Sequence, residues 1–584
     1  MHVIATAGHV DHGKSTLVRA LTGMEPDRWE QERRRGLTID LGFAWTTLDD
    51  GCTTAFVDVP GHQRFVPNML AGIGPVPAVL FVVAADEGWM PQSTEHLDAL
   101  DALGVGHGLL AITRCDLADP REAAAQARRR LAGTSLADIP AVFVSGRTGD
   151  GVGELRTAIR DLVRRLPAPD PDADIRLWVD RSFTVRGAGT VVTATLAAGT
   201  LRTGQHLAVS SSDRQVAVRG IQVLGESTTE IGAVARVALN LRGVEVDEIR
   251  RGDALLSPRR WLTTDVIDVR LVGTASGDVP RELTAHIGSA AVPARVRPLG
   301  EDTARLALRS ALPLRIGDRA LLREPGGKHV RVGAIVLDVR PPALRQRGAG
   351  KARAAELATM DGRPDGAAEL RRRRLIRAGE LRAMGAEPPG DGPWLIDPPH
   401  RDRLAQELRA LLTRHREEHP LEDGMPAEAA RRALGLPDPA LLQAVVTEAG
   451  VELRSGRVRL GDSALPGPVR KAVREIRGSL SENPFDAPTA DDLTALRLGE
   501  RELAAAERAG ELLRIGPGLV LLPGADGEAL DRLRSLPDPF TVSQARRALG
   551  TSRRVALALL AFLARDGRTA RVEGGTHRVV SHGG

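Results

Sequence analysis

The sequence is short of several residue types, and each shortage excludes something. Cys52 and Cys115 are the only cysteines in 584 residues, so neither a disulfide scaffold nor a cysteine-built zinc cluster is available. Tyrosine is absent, leaving nine phenylalanines and six tryptophans, which argues against an RNA-binding face of stacked rings. No apolar run approaches the ~20 residues of a membrane-spanning helix. The N-terminus enters a strand pattern with no basic segment ahead of it. The expectation is a soluble, cytoplasmic monomer with no membrane partner. Lysine is nearly missing as well: Lys14, Lys328, Lys351 and Lys471 stand against 76 arginines. Replacement on that scale reads as codon bias, so arginine richness alone identifies no partner. A retained lysine is more telling.

What is present is globular and too long for one core. Apolar residues make up 42% and charged residues 27%, ordinary values for folded domains. The net charge of +5 is unevenly placed: residues 541–584 carry eight arginines against Asp566 and Glu573, and the rest of the chain sums to −1. A basic terminal segment of this kind implies a polyanionic partner.

Residues 1–170 alternate short apolar runs (His2–Ala7, Thr53–Val59, Ala78–Ala84, Gly108–Thr113, Ala141–Ser145) with helical patterns at Lys14–Leu21, Glu95–Leu103 and Arg121–Leu131. That alternation predicts a doubly wound α/β domain on a parallel sheet. Pro167–Pro171 reads as a stiff linker. Short β-rich runs with turn residues every 8–12 positions follow, predicting two antiparallel β-barrels over 171–260 and 261–342. From 343 the texture is helical. Hairpin-like segments starting at Gly450, Gly510 and Gly567, each with arginine four residues on, recur at spacings of 60 and 57 residues. Helices ahead of a two-stranded wing match the winged-helix unit. The expected array is 343–398, 399–462, 463–523 and 524–584, with a degenerate copy of the hairpin near Gly379–Ile396.

The chemistry is concentrated near the N-terminus. Gly8-His-Val-Asp-His-Gly-Lys-Ser15 fits the phosphate-binding loop pattern and lies between a strand and a helix, as that pattern requires. Backbone amides of Asp11, His12, Gly13, Lys14, Ser15 and Thr16 are placed to wrap phosphate. Lys14 bridges the β- and γ-phosphates, and the Ser15 hydroxyl is a Mg²⁺ ligand. Asp58-Val-Pro-Gly61 follows the second core strand. Asp58 is a second metal-side residue, and the Gly61 amide is a donor to the γ-phosphate. Thr38, in Arg35-Gly-Leu-Thr-Ile-Asp40, completes the metal shell only while that phosphate is present, which makes the segment a switch. Arg33 and Arg34 beside it read as a solvated charge run. Thr113-Arg-Cys-Asp116 places a carboxylate where it accepts two hydrogen bonds from guanine. Ser145-Gly146-Arg147 offers backbone amides to the guanine O6. In this order the elements specify a GTPase with GTP and Mg²⁺ as its ligands.

These motifs resemble the translational GTPase family. The resemblance implies that His62 positions the hydrolytic water, with Lys14 and Gly61 beside it in the catalytic group. It also implies that Val10 and Leu37 form an apolar gate, and that the ribosome stimulates hydrolysis. The family's guanine motif is usually Asn-Lys-x-Asp. Here Thr113 gives up the asparagine amide, which implies looser nucleotide binding, while Arg114 retains a cation able to stack on the base. The whole domain order resembles the SelB family of selenocysteine-specific elongation factors, whose partners are selenocysteyl-tRNA, an mRNA stem-loop (SECIS) at a UGA codon, and the ribosome.

In that family an aspartate–arginine pair and a later arginine surround the selenocysteyl group; here these are Asp180, Arg181 and Arg236. A selenol is an anion at neutral pH and suits guanidinium. A neutral seryl group leaves those cations buried and unpaired. On the residues alone, a surface salt bridge of Asp180 is the simpler reading. At the other end, Arg553 and Arg554 fall in a helix first turn, after Ser552 or Thr551 as N-cap. Cations there oppose the helix dipole, which points to an anionic partner. Arg546, Arg547 and Arg571, with Arg568 and Arg578, extend the patch, and the resemblance makes its ligand the mRNA stem-loop. The denser run Arg371–Arg374 reads as the wet face of a helix. Two other readings stay open: a general aminoacyl- or initiator-tRNA carrier, and a nucleotide-sensing winged-helix regulator that binds duplex DNA.

Overall fold

The computed structural model describes residues 1–26, 40–60, 66–73, 76–325, 330–461 and 465–580, in two compact units, Met1–Leu395 and Ile396–Gly584. The first unit opens with β1 (His2–Gly8), α1 (Lys14–Thr22), β2 (Gly42–Thr47), β3 (Thr53–Asp58), α2 (Val66–Ile73), β4 (Ala78–Ala84), α3 (Pro91–Ala102), β5 (Gly108–Thr113), α4 (Pro120–Leu131), β6 (Ala141–Phe143) and α5 (Val152–Arg165). The sheet order is β2-β3-β1-β4-β5-β6. β4 is buried at every residue, as its unbroken apolar run requires for a strand covered on both faces. The sheet is not wholly parallel: β2 runs antiparallel to β3. Only Leu48–Cys52 joins them, enough for a hairpin and far too little for a parallel crossover. The parallel strands gather Gly8, Asp58 and Thr113 at one edge, where open α/β sheets bind ligands.

Two antiparallel barrels follow. In the first, His206–Val209 pairs with both Gln215–Val223 and Ala254–Leu256, which closes the ring. Its last strand, Ala254–Leu256, precedes the first strand of the second barrel, Thr263–Val272, and the second barrel is closed. Both barrels are packed onto the nucleotide-type domain. Val234 and Leu321 join the apolar cluster of its sheet, and Gly333 meets α3 so closely that a Cβ there would lie 3.0 Å from Ala102 Cα.

The segment expected to open the winged-helix array shares its core with the second barrel. Leu370, Ile376, Leu381 and Met384 belong to the same apolar cluster as Val269, Leu306 and Val336. Buried Arg353 bridges Asp268 at 2.7 Å and Asp338 at 2.5 Å, and Arg305 and Arg373 complete the network. The arginine run at 371–374 is partly spent here: Arg372 and Arg373 both pair with buried Glu369. The expected hairpin near Gly379–Ile396 begins as a helix, Ala378–Ala383.

The second unit repeats one motif. Helices Pro398–Glu418, Ala427–Ala433 and Pro439–Ala449 precede strands Glu452–Arg454 and Arg457–Arg459. Helices Gly467–Glu482, Ala490–Ala495 and Glu500–Arg508 precede Leu513–Gly516 and Leu519–Leu521. Helices Ala525–Arg534, Val542–Leu549 and Arg553–Arg565 precede Thr569–Arg571 and His577–Val579. These are winged helices. The last two share one apolar cluster, from Leu480 and Phe485 to Phe540 and Leu559. Buried Thr551 donates its hydroxyl to Phe485 O at 2.5 Å across that join.

Candidate functional site

The phosphate loop is shaped by backbone that only certain residues tolerate. Gly8 has φ +129°, and a Cβ there would sit 2.1 Å from Val82 O. Gly13 caps α1 with φ 80°, and Asp11 is also left-handed. Lys14 is buried and donates to Gly8 O at 3.1 Å and His9 O at 2.7 Å. Two side chains one turn apart on α3 hold the loop: His96 Nδ1 accepts from Gly8 N at 3.0 Å and Gln92 Oε1 from Val10 N at 3.0 Å. Burial pushes the His96 pKa down to about 3, helped by nearby Lys14. Its ring is therefore neutral, as an accepting Nδ1 requires. No motif spacing singled out Gln92 or His96.

Asp58 is fully buried at the end of β3. Its Oδ2 accepts from Ser15 Oγ at 2.6 Å and its Oδ1 from Thr6 Oγ1 at 2.6 Å. Burial raises its pKa, against the lowering effect of Lys14 and of both hydroxyl donors. A buried carboxylate and a hydroxyl in mutual contact are an all-oxygen donor set that fits a hard divalent cation such as Mg²⁺. The other expected residues of this centre, Leu37, Thr38, Gly61 and His62, lie outside the described residues.

The guanine motif ties back to the same loop. Thr113 Oγ1 donates to His12 O at 2.7 Å, so the threonine still links the motif to the phosphate loop. Arg114, with φ 56°, donates to Asp86 at 3.0 Å, to Glu87 at 2.7 Å and to Asp11 O. Asp116 is exposed, and Ser145 is buried in the turn after β6. Gly146 packs on α1 so closely that a Cβ would stand 3.3 Å from Thr16 Cγ2; Arg147 is exposed.

A second cluster lies where β2 meets the first barrel. Asp180 sits at a β-bulge between Val179 and Arg181, a device that re-aims side chains. Buried Asp180 is held bidentately by Arg236 and accepts from Thr193 Oγ1 at 2.6 Å. Arg181 does not join that pair. It reaches the nucleotide-type domain, at Asp40 (3.1 Å) and Leu41 O (2.5 Å). Phe43 lies under both guanidinium groups, 4.1 Å from Arg236 and 5.7 Å from Arg181. The three expected residues are thus neighbours. Phe43 is an addition that the sequence signalled only by its place beside the switch motif.

In the second unit, Ser552 is the N-cap of Arg553–Arg565, accepting from Val555 N at 3.2 Å. Val555, Leu559 and Leu563 are buried, leaving Arg553 and Arg554 exposed. Arg546, Arg547 and Arg571 are also exposed, and none of the five makes an ion pair among the described residues. Arg568 and Arg578 differ: Arg568 pairs with Asp526 and Asp566, Arg578 with Asp538.

Comparison with known proteins matches residues 1–165 to the elongation factor Tu GTP binding domain, 189–256 to elongation factor Tu domain 2, and 531–579 to the elongation factor SelB winged helix. The selenocysteine-specific elongation factor of Desulfomicrobium baculatum is 40% identical over 337 residues, 55% of this chain and 53% of that protein. The chain thus spans about half the length of that relative. Elongation factor Tu 2 of Streptomyces avermitilis is 33% identical over 280 residues, 44% of this chain and 72% of that protein. A crystal structure of a bacterial selenocysteine-specific elongation factor, EF-Sec, shares the fold along both whole chains, with a TM-score of 0.75 at 24% identity. The chain belongs to the EF-Tu family of translational GTPases.

Proposed function

We propose that this protein binds and hydrolyses GTP with Mg²⁺, carries selenocysteyl-tRNA to the ribosome, and holds an mRNA stem-loop through its last winged helix. Lys14 turns from the carbonyls of Gly8 and His9 to the β- and γ-phosphates. Ser15 and Asp58 hold the cation, which neutralises phosphate charge. Asp116 selects guanine. His62, beside Gly61, orients the attacking water, and Val10 and Leu37 gate it. Arg546, Arg547, Arg553, Arg554 and Arg571, near Ser552, contact RNA phosphates and one or two splayed bases.

The observation that carries the aminoacyl assignment is the Asp180–Arg236–Phe43–Arg181 cluster beside β2. Two guanidinium groups over one ring, paired now with Asp180 and Asp40, offer a selenolate charged donors that a neutral hydroxyl uses less well when they turn from those carboxylates. The place of this niche next to the switch segment links tRNA affinity to the nucleotide state. The test compares selenocysteyl-tRNA with seryl-tRNA in the presence of GTP. Strong preference for the first is expected, and equal binding overturns the assignment.

A further inference from the structure

Asp86 and Glu87 follow β4 on a turn that is pinned independently of the nucleotide motifs. Gly88, at φ 70°, donates its amide to Ala84 O at 2.9 Å. Trp89 N donates to Gln126 Oε1 of α4 at 3.1 Å, and the Trp89 ring stacks on Phe81 at 5.4 Å. From this fixed platform both carboxylates take Arg114 Nη1, at 3.0 and 2.7 Å, while Nη2 of the same guanidinium donates to Asp11 O in the phosphate loop. Glu87 also lies near the next loop residue, its Oε2 3.6 Å from Nε2 of fully buried His12, beyond hydrogen-bond distance. His12 in turn offers its carbonyl to Thr113.

These contacts explain the substitution in the guanine motif. A lysine brings its three donors from a single nitrogen, so all its acceptors must lie around one point. An arginine reaches the acid pair and the loop carbonyl at once, through a planar fork with fixed donor directions. Its left-handed backbone is uncomfortable for a long side chain, and three anchored contacts offset that. We infer that Asp86 and Glu87 are positioning residues for the nucleotide. Through Arg114 they hold the Asp11–His12 turn of the phosphate loop in its ligand-ready shape. This inference rests on the guanine-nucleotide reading above.

The sign of the effect separates this role from simple electrostatics. Two carboxylates near an anionic ligand repel it, so if charge were their only role, neutralising them would slow nucleotide release. If they position the loop, neutralising them speeds release. The experiment is stopped-flow release of a fluorescent GDP from the full chain, using the isosteric Asp86→Asn/Glu87→Gln variant. At least fivefold faster release is expected. In an Arg114→Ala background the same substitutions should add less than twofold, because their route to the loop is already cut. Unchanged or slower release overturns the inference, as does a full effect without Arg114. If the double variant does not fold, Glu87→Gln alone carries the test, with release at least twofold faster expected. Failure of the unsubstituted protein to bind GDP overturns the nucleotide reading itself, whereas unaltered variants overturn only the positioning role.

Discussion

Consider the Asp180–Arg236 pair taken apart from each end. The side chains are 4% and 12% exposed, so the pair is nearly dry. Removing one partner of such a pair costs about 3–5 kcal/mol, because a charge is left buried without compensation. The two ends are not equivalent. In Asp180→Ala, Arg236 keeps the Phe43 ring at 4.1 Å, a contact worth up to ~2 kcal/mol when desolvated, so the loss should fall near 3 kcal/mol. In Arg236→Met, Asp180 keeps the neutral Thr193 hydroxyl but loses both charged hydrogen bonds, so the loss should approach about 5 kcal/mol. The double variant removes both charges and should return to within about 1 kcal/mol of the parent, as apolar replacement of buried pairs often does. Amide hydrogen exchange along Ala235–Arg242 reads this locally, without assuming that so large a chain unfolds in one step.

Binding should behave differently from stability. A charge-assisted hydrogen bond contributes about 1.5–3 kcal/mol, which is a tenfold to hundredfold change in affinity. Arg236→Met should therefore weaken selenocysteyl-tRNA binding by that factor and seryl-tRNA binding only several-fold. The double variant should regain stability yet stay unselective. If it proves as unstable as Arg236→Met, the pair is not the structural unit described. If both tRNAs lose affinity equally, the niche does not read charge.

Other expectations follow from single features. Gly8→Ala must place a Cβ 2.1 Å from Val82 O at φ +129°, so nucleotide binding should be abolished and thermal stability lowered; ordinary binding would refute the loop geometry. Arg553→Ala/Arg554→Ala should weaken stem-loop binding and reduce the salt slope of log affinity by about two. Arg568→Ala, whose charge is committed to Asp526 and Asp566, should leave that slope nearly unchanged. His12 and His96 are neutral in the fold, with pKa values pushed down to about 3, chiefly by burial. The unfolded chain takes up their protons below about pH 6.5, so stability should fall from there towards pH 3, by about 1.4 kcal/mol per pH unit for each histidine. Replacing His96 with glutamine should flatten that fall in a thermal-unfolding series from pH 7 to 5.

What the sequence disclosed, and what it hid, follows from how far apart the partners lie along the chain. The phosphate loop was legible because strand, loop and helix are contiguous, and glycine is the only residue that fits where Val82 O approaches from 74 residues away. The helix Arg553–Arg565 was legible because its cap is local: Ser552 and Val555 are three residues apart. The acid pair was not, since Asp86 and Glu87 meet Arg114 across some 28 residues and no period or motif links them. Nor was Phe43, which acquires its role only when the barrel brings two arginines to it from positions 181 and 236. The segment after 342 shows the same limit in another form. Its helices have the composition of a separate module, yet Arg353 finds Asp268 85 residues earlier and its apolar face finds the barrel core. Arginine frequency carried no information in any of these cases, because paired and unpaired arginines look alike in a sequence. Arg568 and Arg553 stand fifteen residues apart in one basic segment, and the placement of Asp526 and Asp566 separates a guanidinium already paired from one left for a phosphate.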